Sequence, residues 1–83
     1  MRVVFMSAAW EDYLYWQQHE AMLKKINILI KESMRTPFEG SGKPEALKEN
    51  LKGFWSRRIN LEYRLVYRVE GDAIYILQCR YHY

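Results

Sequence analysis

The stretch "YRLVYRVEGDAIYILQCRY", residues 63–81, decides the fold. Tyr63 to Glu70 and Ala73 to Tyr81 are rich in valine, isoleucine and tyrosine, and Gly71 and Asp72 between them supply a turn. The stretch therefore reads as two antiparallel strands joined in a hairpin. Just upstream, "FWSRRIN" (Phe54 to Asn60) has the same composition and is followed by a turn near Leu61, which extends the hairpin to a three-stranded meander. Because side chains alternate along a strand, Leu65, Tyr67 and Val69 share one face while Arg64, Val66 and Arg68 share the other. The first set is apolar enough to face a core. By the same alternation Phe54, Ser56 and Arg58 share a side, as do Gln78, Arg80 and His82.

Outward from the meander, the character of the chain changes. "RVVFM" (Arg2 to Met6) reads as a short buried strand, with Ser7 placed to cap a helix behind it. From Ala8 to about Gln18, Trp10, Tyr13, Leu14 and Trp16 recur at helical spacing among polar residues, and this aromatic stripe is expected in the core. A second helix is expected from about Glu20 to Met34, with Met22, Leu23, Ile26, Leu29, Ile30 and Met34 on its apolar side. Lys24, Lys25 and Lys31, with Arg35 beyond, lie on the other side, either as a solvated face or as a basic strip suited to nucleic acid. "TPFEGSGKP" (Thr36 to Pro44) is a loop between the layers, and its two glycines lack the spacing of a phosphate-binding P-loop. The expected fold is α+β: two N-terminal helices packed on one face of a mainly antiparallel, twisted sheet, with residues 1–83 forming one domain.

Composition narrows the function. With 49% hydrophobic and 16% aromatic residues the chain can bury a core, and its net charge of +3 favours a polyanionic partner. Cys79 is the only cysteine, which excludes an intrachain disulfide and fits a reducing cytoplasm. His19, Cys79 and His82 are too scattered for a zinc site, and no apolar run is long enough to span a bilayer.

The polar residues of the meander converge. If both hairpin loops are three residues long (60–62 and 70–72), Arg58 sits opposite Arg64 and Arg64 opposite Gln78, gathering Arg58, Arg64, Arg80 and His82 on the open face. A two-residue loop at Gly71 and Asp72 would instead move His82 to the side of Leu65. Neighbouring guanidiniums repel unless an anion lies between them, and the planar fork of arginine suits phosphate. Surface pairing of Arg57, Arg58, Arg64 and Arg68 with Glu62 and Glu70 is the plainer alternative. Histidine, with a reference pKa of about 6.5, is suited to proton transfer near neutrality, and Glu45 and Lys48 in "KPEALKENL" stand where this face begins. Cleavage of RNA needs a base for the 2′-hydroxyl, cations for the charge growing at phosphorus and an acid for the leaving 5′-oxygen. All three residue types are present.

Through "WEDYLYWQ", "KKIN", "RTPFEGSGKPEALKENLKGFWSRRIN", "YRLVY" and "CRYHY", the chain resembles, over essentially its whole length, the YoeB-type toxins of the RelE superfamily. The resemblance implies the two-layer RelE-like fold and an endoribonuclease that cuts mRNA in the ribosomal A site with neither metal nor cofactor. The products would carry a 2′,3′-cyclic phosphate and a 5′-hydroxyl. It also implies a YefM-like antitoxin as partner, homodimer formation, and contact with DNA only through that antitoxin. Carried onto this sequence, the general base falls on Glu45, the phosphate-stabilising arginines on Arg58 and Arg64, the general acid on His82, and the substrate-positioning groups on Lys48 and Tyr83. Arg57, Arg80 and Tyr81 beside them are assigned to substrate binding. Tyr83 reaches the site only if the tail bends. Two other functions fit a similar chain: a ParE-like poison of DNA gyrase, which has no need of the Glu45, Arg58, Arg64 and His82 set, and a non-catalytic RNA-binding or ribosome-binding module in which His82 is passive.

Overall fold

The computed structural model describes residues 1–82, and Tyr83 lies outside the described residues. In chain order its elements are β1 (Arg2–Phe5), α1 (Ser7–Trp16), α2 (Glu20–Arg35), β2 (Glu45–Ala46), a single 3-10 turn (Glu49–Leu51), β3 (Trp55–Arg58), β4 (Arg64–Glu70) and β5 (Ala73–Gln78). The strands form one sheet in the order β1-β5-β4-β3-β2, antiparallel except where β1 runs parallel to β5. Both helices bury apolar residues against this sheet, as the α+β reading expects. Ala9 and Trp16 of α1 and Ile26, Leu29 and Ile30 of α2 meet Leu65, Tyr67, Ile74 and Ile76 of the two central strands, with Ile59 and Cys79 at the ends. Among the described residues, no helix is long and apolar enough to cross a membrane.

Four local expectations are corrected. The first strand is an edge strand with Arg2 and Val3 exposed, because only β5 flanks it. Ser7 is the first helical residue rather than the cap; Met6 occupies the cap position, with no side-chain cap bond. In α1 the core-facing line is Ala9, Asp12 and Trp16, so Trp10 (47% exposed) and Leu14 (45%) of the aromatic stripe face outward and Tyr13 is half-buried. The segment before the 3-10 turn supplies an extra edge strand, β2, with Glu45 opposite Ser56 and Ala46 opposite Trp55.

Register places the functional side chains. The β3–β4 connection, residues 59–63, keeps the expected register: Arg58 stands opposite Arg64, and the Ile59 amide donates to the Tyr63 carbonyl at 3.0 Å. At the β4–β5 turn Glu70 pairs with Ala73, leaving a two-residue loop. Tyr67 then pairs with Ile76 but Val66 with Gln78, so Leu77 is an extra residue in β5, a bulge. Gln78 thus opposes Val66, not Arg64. The inserted residue also cancels the parity change that a two-residue loop alone would impose, and the tail keeps Gln78 on the open face while Cys79 turns into the core.

Candidate active site

Parity across β2, β3 and β4 builds a cleft at the open face. Glu45 faces Ser56 across one ladder and Ser56 faces Val66 across the next; two residues on, Arg58 faces Arg64. The resulting hollow, about 390 Å³, is lined by Lys43, Pro44, Glu45, Ser56, Arg58 and Arg64. A carboxylate and three cations therefore share one open concavity, an arrangement suited to an anion that carries a proton to be removed.

The backbone around the cleft is pinned. The Arg58 amide donates to the Gly42 carbonyl at 2.7 Å, which ties the incoming loop to the end of β3. Asn60 shapes the next turn, its Oδ1 accepting from the amides of Glu62 (2.8 Å) and Tyr63 (2.7 Å). Arg64 leans back over this turn, and its Nη1 donates to the carbonyls of Asn60 at 3.0 Å and Tyr63 at 3.1 Å.

The tail arrives at Arg64. Tyr81 offers its carbonyl to the Arg64 amide at 3.2 Å and to Nε2 of Gln78 at 2.7 Å, so His82 begins one peptide from the backbone of Arg64. Upstream, Cys79 is buried beneath α1: burial, with the Asp12 charge beside it, pushes its thiol up to about 12. Asp12 is buried as well, and burial raises its carboxyl from its ordinary value against the opposing pull of its bond from the Cys79 amide.

Two of the expected substrate contacts point elsewhere. Arg57 is fully buried, because it pairs with Leu65 on the core side of the sheet, opposite in parity to Arg58. Its Nε donates to the Tyr67 hydroxyl at 3.0 Å, its Nη1 to the Ser41 carbonyl at 3.1 Å, and its Nη2 to the carbonyls of Thr36 and of Glu39 (2.8 Å). Glu32 stands 3.5 Å from Nη1 and also accepts from the Ser41 amide at 2.7 Å, a bond that, ahead of the nearby Arg57 charge, lowers its carboxyl. The Tyr67 hydroxyl closes the network by donating to the Pro37 carbonyl at 2.6 Å. Arg57 therefore holds the 36–41 loop and touches no substrate space. Arg80 lies against α1, its guanidinium carbon 3.4 Å from the centre of the Tyr15 ring and 4.9 Å from that of Tyr81. Its partly buried position follows from the tail turning under α1 after Gln78.

Of the remaining expected residues, Lys48 stands exposed before the 3-10 turn, outside the cleft lining, and Tyr81 is 55% exposed. Lys43, Pro44 and Ser56 line the cleft without having been assigned to it. Ser56 was legible from its alternation with Arg58; Lys43 and Pro44 carry no periodic signal, since a loop brings them there. A larger hollow of about 600 Å³ along α2, lined by Met1, Ile28, Lys31, Glu32, Met34 and Arg35, has its only carboxylate committed to Ser41 and Arg57.

The family model of the YoeB-like toxins of bacterial type II toxin-antitoxin systems matches residues 5–83. Toxin YoeB of Escherichia coli K12 is 58% identical over 84 residues, covering all of both chains. The YoeB-YefM complex from Staphylococcus aureus contains a chain 52% identical, superposing with a TM-score of 0.92 over 100% of this chain and 98% of that one. The YoeB dimer from the same organism matches with the same identity, coverage and TM-score.

Proposed function

The chain belongs to the YoeB-like toxins of bacterial type II toxin-antitoxin systems, and from that premise we propose that it is an mRNA endoribonuclease acting in the ribosomal A site. Glu45 takes the proton of the 2′-hydroxyl as the freed oxygen attacks phosphorus, and the P–O5′ bond breaks to leave a 2′,3′-cyclic phosphate. Arg58 and Arg64 stabilise the charge that accumulates on the phosphorane oxygens. His82 gives its proton to the departing 5′-oxygen, so one proton is taken and one returned. Tyr83 and Lys48 help position the substrate, and Lys43 adds a third cation at the cleft rim. The observation that carries this reading is the gathering of Glu45, Arg58 and Arg64 around one open cleft, with the Tyr81 carbonyl bonded to the Arg64 amide so that the chain leads directly to His82.

The YoeB-YefM complex of the S. aureus relative supports a YefM-like antitoxin as partner, and its YoeB dimer supports a homodimer. Contact with DNA then runs through the antitoxin, and the site of action is the cytoplasm, where ribosomes translate. Residues 1–83 act as one toxin domain. So small an enzyme gains from the ribosome what it lacks in binding surface, because correct orientation of reactants is worth about 7–11 kcal/mol.

The test is cleavage of an mRNA, free and in ribosomes with a defined A-site codon, by the wild type, Glu45→Gln and His82→Gln. Cuts at a single A-site position that fall by about 10²- to 10⁴-fold in each variant are expected. Folded protein that makes no cuts in either setting would move the assignment to gyrase poisoning or passive RNA binding.

A further inference from the structure

β5 ends at Gln78, four residues short of His82, and the chain returns to β4 through the Tyr81 carbonyl on the Arg64 amide. Between these two points side chains of α1 hold the tail. The Cys79 amide donates to Oδ2 of Asp12 at 3.0 Å, and the Cys79 carbonyl accepts from Nε1 of Trp16 at 2.8 Å. Asp12 and Trp16 lie four residues apart, hence on one face of the helix, and both are buried. One peptide unit on either side of Cys79 is thus gripped by two side chains, in a place where neither strand nor helix supplies partners. Arg80, next along, stacks on Tyr15 of the same helix.

We propose that Asp12 and Trp16 are positioning residues for the tail: by clamping Cys79 they fix the phase in which the chain leaves the Leu77 bulge, and so deliver His82 to Arg58 and Arg64. The proposal rests on the nuclease reading for its activity arm alone. A slip of one residue in an extended chain reverses which side chains face the cleft. The clamp specifies against that slip at Cys79, the one wholly buried residue among the described residues of the tail. The cysteine side chain, which reaches the Ala9 carbonyl with its thiol, anchors the residue but not the two peptide groups that flank it. A carboxylate buried at position 12 also fits this role, since an apolar residue would fill the space at less cost but would leave the Cys79 amide without an acceptor.

The experiment uses the full chain with Asp12→Ala, Asp12→Asn and Trp16→Phe, each alone and combined with His82→Gln. Amide hydrogen exchange is read at residues 79–82 against β4, and single-turnover cleavage is read on ribosomes. Asp12→Ala and Trp16→Phe should speed exchange in the tail about tenfold while β4 stays protected. Cleavage should fall about 10²-fold, as for a reacting group displaced by about 1 Å, and Asp12→Asn, which keeps an acceptor, should recover most of it. In the His82→Gln background the same changes should cost nothing further, whereas simple loss of folded protein would lower the rate by the same factor with or without His82. Unchanged tail exchange, a loss that persists without His82, or full cleavage despite a loosened tail would overturn the proposal. A wild type that cuts nothing would instead overturn the nuclease reading, while the exchange data would still judge the clamp.

Discussion

Arg58 and Arg64 stand directly opposite one another on β3 and β4, two like charges in register at the mouth of the same cleft. Such a cross-strand pair opposes folding, by about 0.2–1 kcal/mol, until an anion lies between them. Arg58→Gln should therefore raise stability by that order at low salt while abolishing cleavage. Sulfate should raise the melting temperature of the wild type more than that of the variant, and thermal scans at low ionic strength with and without sulfate check both.

Arg57 is expected to matter for stability rather than for binding. Removing its side chain in Arg57→Ala empties a fully buried site and takes a donor from the Tyr67 hydroxyl and from the carbonyls of Thr36, Glu39 and Ser41. A cost of about 1–3 kcal/mol is expected, as for buried polar groups that lose their hydrogen-bond partner. Urea unfolding measures it, and a change below about 1 kcal/mol would contradict the assignment of this arginine to the frame.

Two carboxyls should give opposite pH signatures. The Asp12 carboxyl is raised, chiefly by burial, so the folded state binds its proton more tightly than the unfolded chain; its contribution is fully present below the unfolded carboxylate range and is lost as pH rises through the raised value. The Glu32 carboxyl is lowered, first by the Ser41 amide, so its contribution is present above the unfolded range and is lost as pH falls through the lowered value. Unfolding free energies of Asp12→Asn relative to wild type should accordingly shift in the variant's favour as pH rises through the carboxylate range. For Glu32→Gln the difference from wild type should shrink as pH falls. Parallel slopes in the two series would refute the assignment.

Gly42 has φ of +81°, and a Cβ there would come within 2.9 Å of the Arg58 carbonyl and 3.1 Å of its amide. Both are backbone atoms of a strand and cannot step aside. Gly42→Ala should cost about 1–3 kcal/mol and lower cleavage as well, because the displaced strand end carries Arg58. At Gly71, where φ is also positive but nothing lies within 4 Å, alanine should cost less. Chemical denaturation of the two variants side by side checks the order.

The sheet and helices were legible because their signals are periodic over several residues: alternation in Tyr63 to Glu70, and a three-to-four repeat from Met22 to Met34. The Arg58–Arg64 register followed from loop length alone. What escaped depends on single residues or on contacts distant in sequence. A two-residue strand such as Glu45–Ala46 has no period, and the extra residue Leu77 leaves no mark in composition. Arg57 was misassigned although the alternation that put Leu65 toward the helices also applies to its partner. The pull of its charge toward phosphate outweighed parity, and a set of buried loop carbonyls that satisfies a guanidinium is visible only once the chain is folded. The tail's course under α1 depends on Asp12 and Trp16, more than sixty residues away from Cys79, a separation over which local pattern says nothing.

The parallel pairing of β1 with β5 has a consequence in time. Arg2 meets Ala73 and Phe5 meets Ile76, so this part of the sheet closes only after nearly the whole chain has been gathered into a loop. The cleft itself draws on residues 43–64, close neighbours that can pair early. Refolding is therefore expected to yield a cleft that holds an anion before the tail is docked. On the proposed function the anion site would form first and the proton donor arrive last, and sulfate binding that rose no earlier than protection of the Cys79 amide would contradict this order.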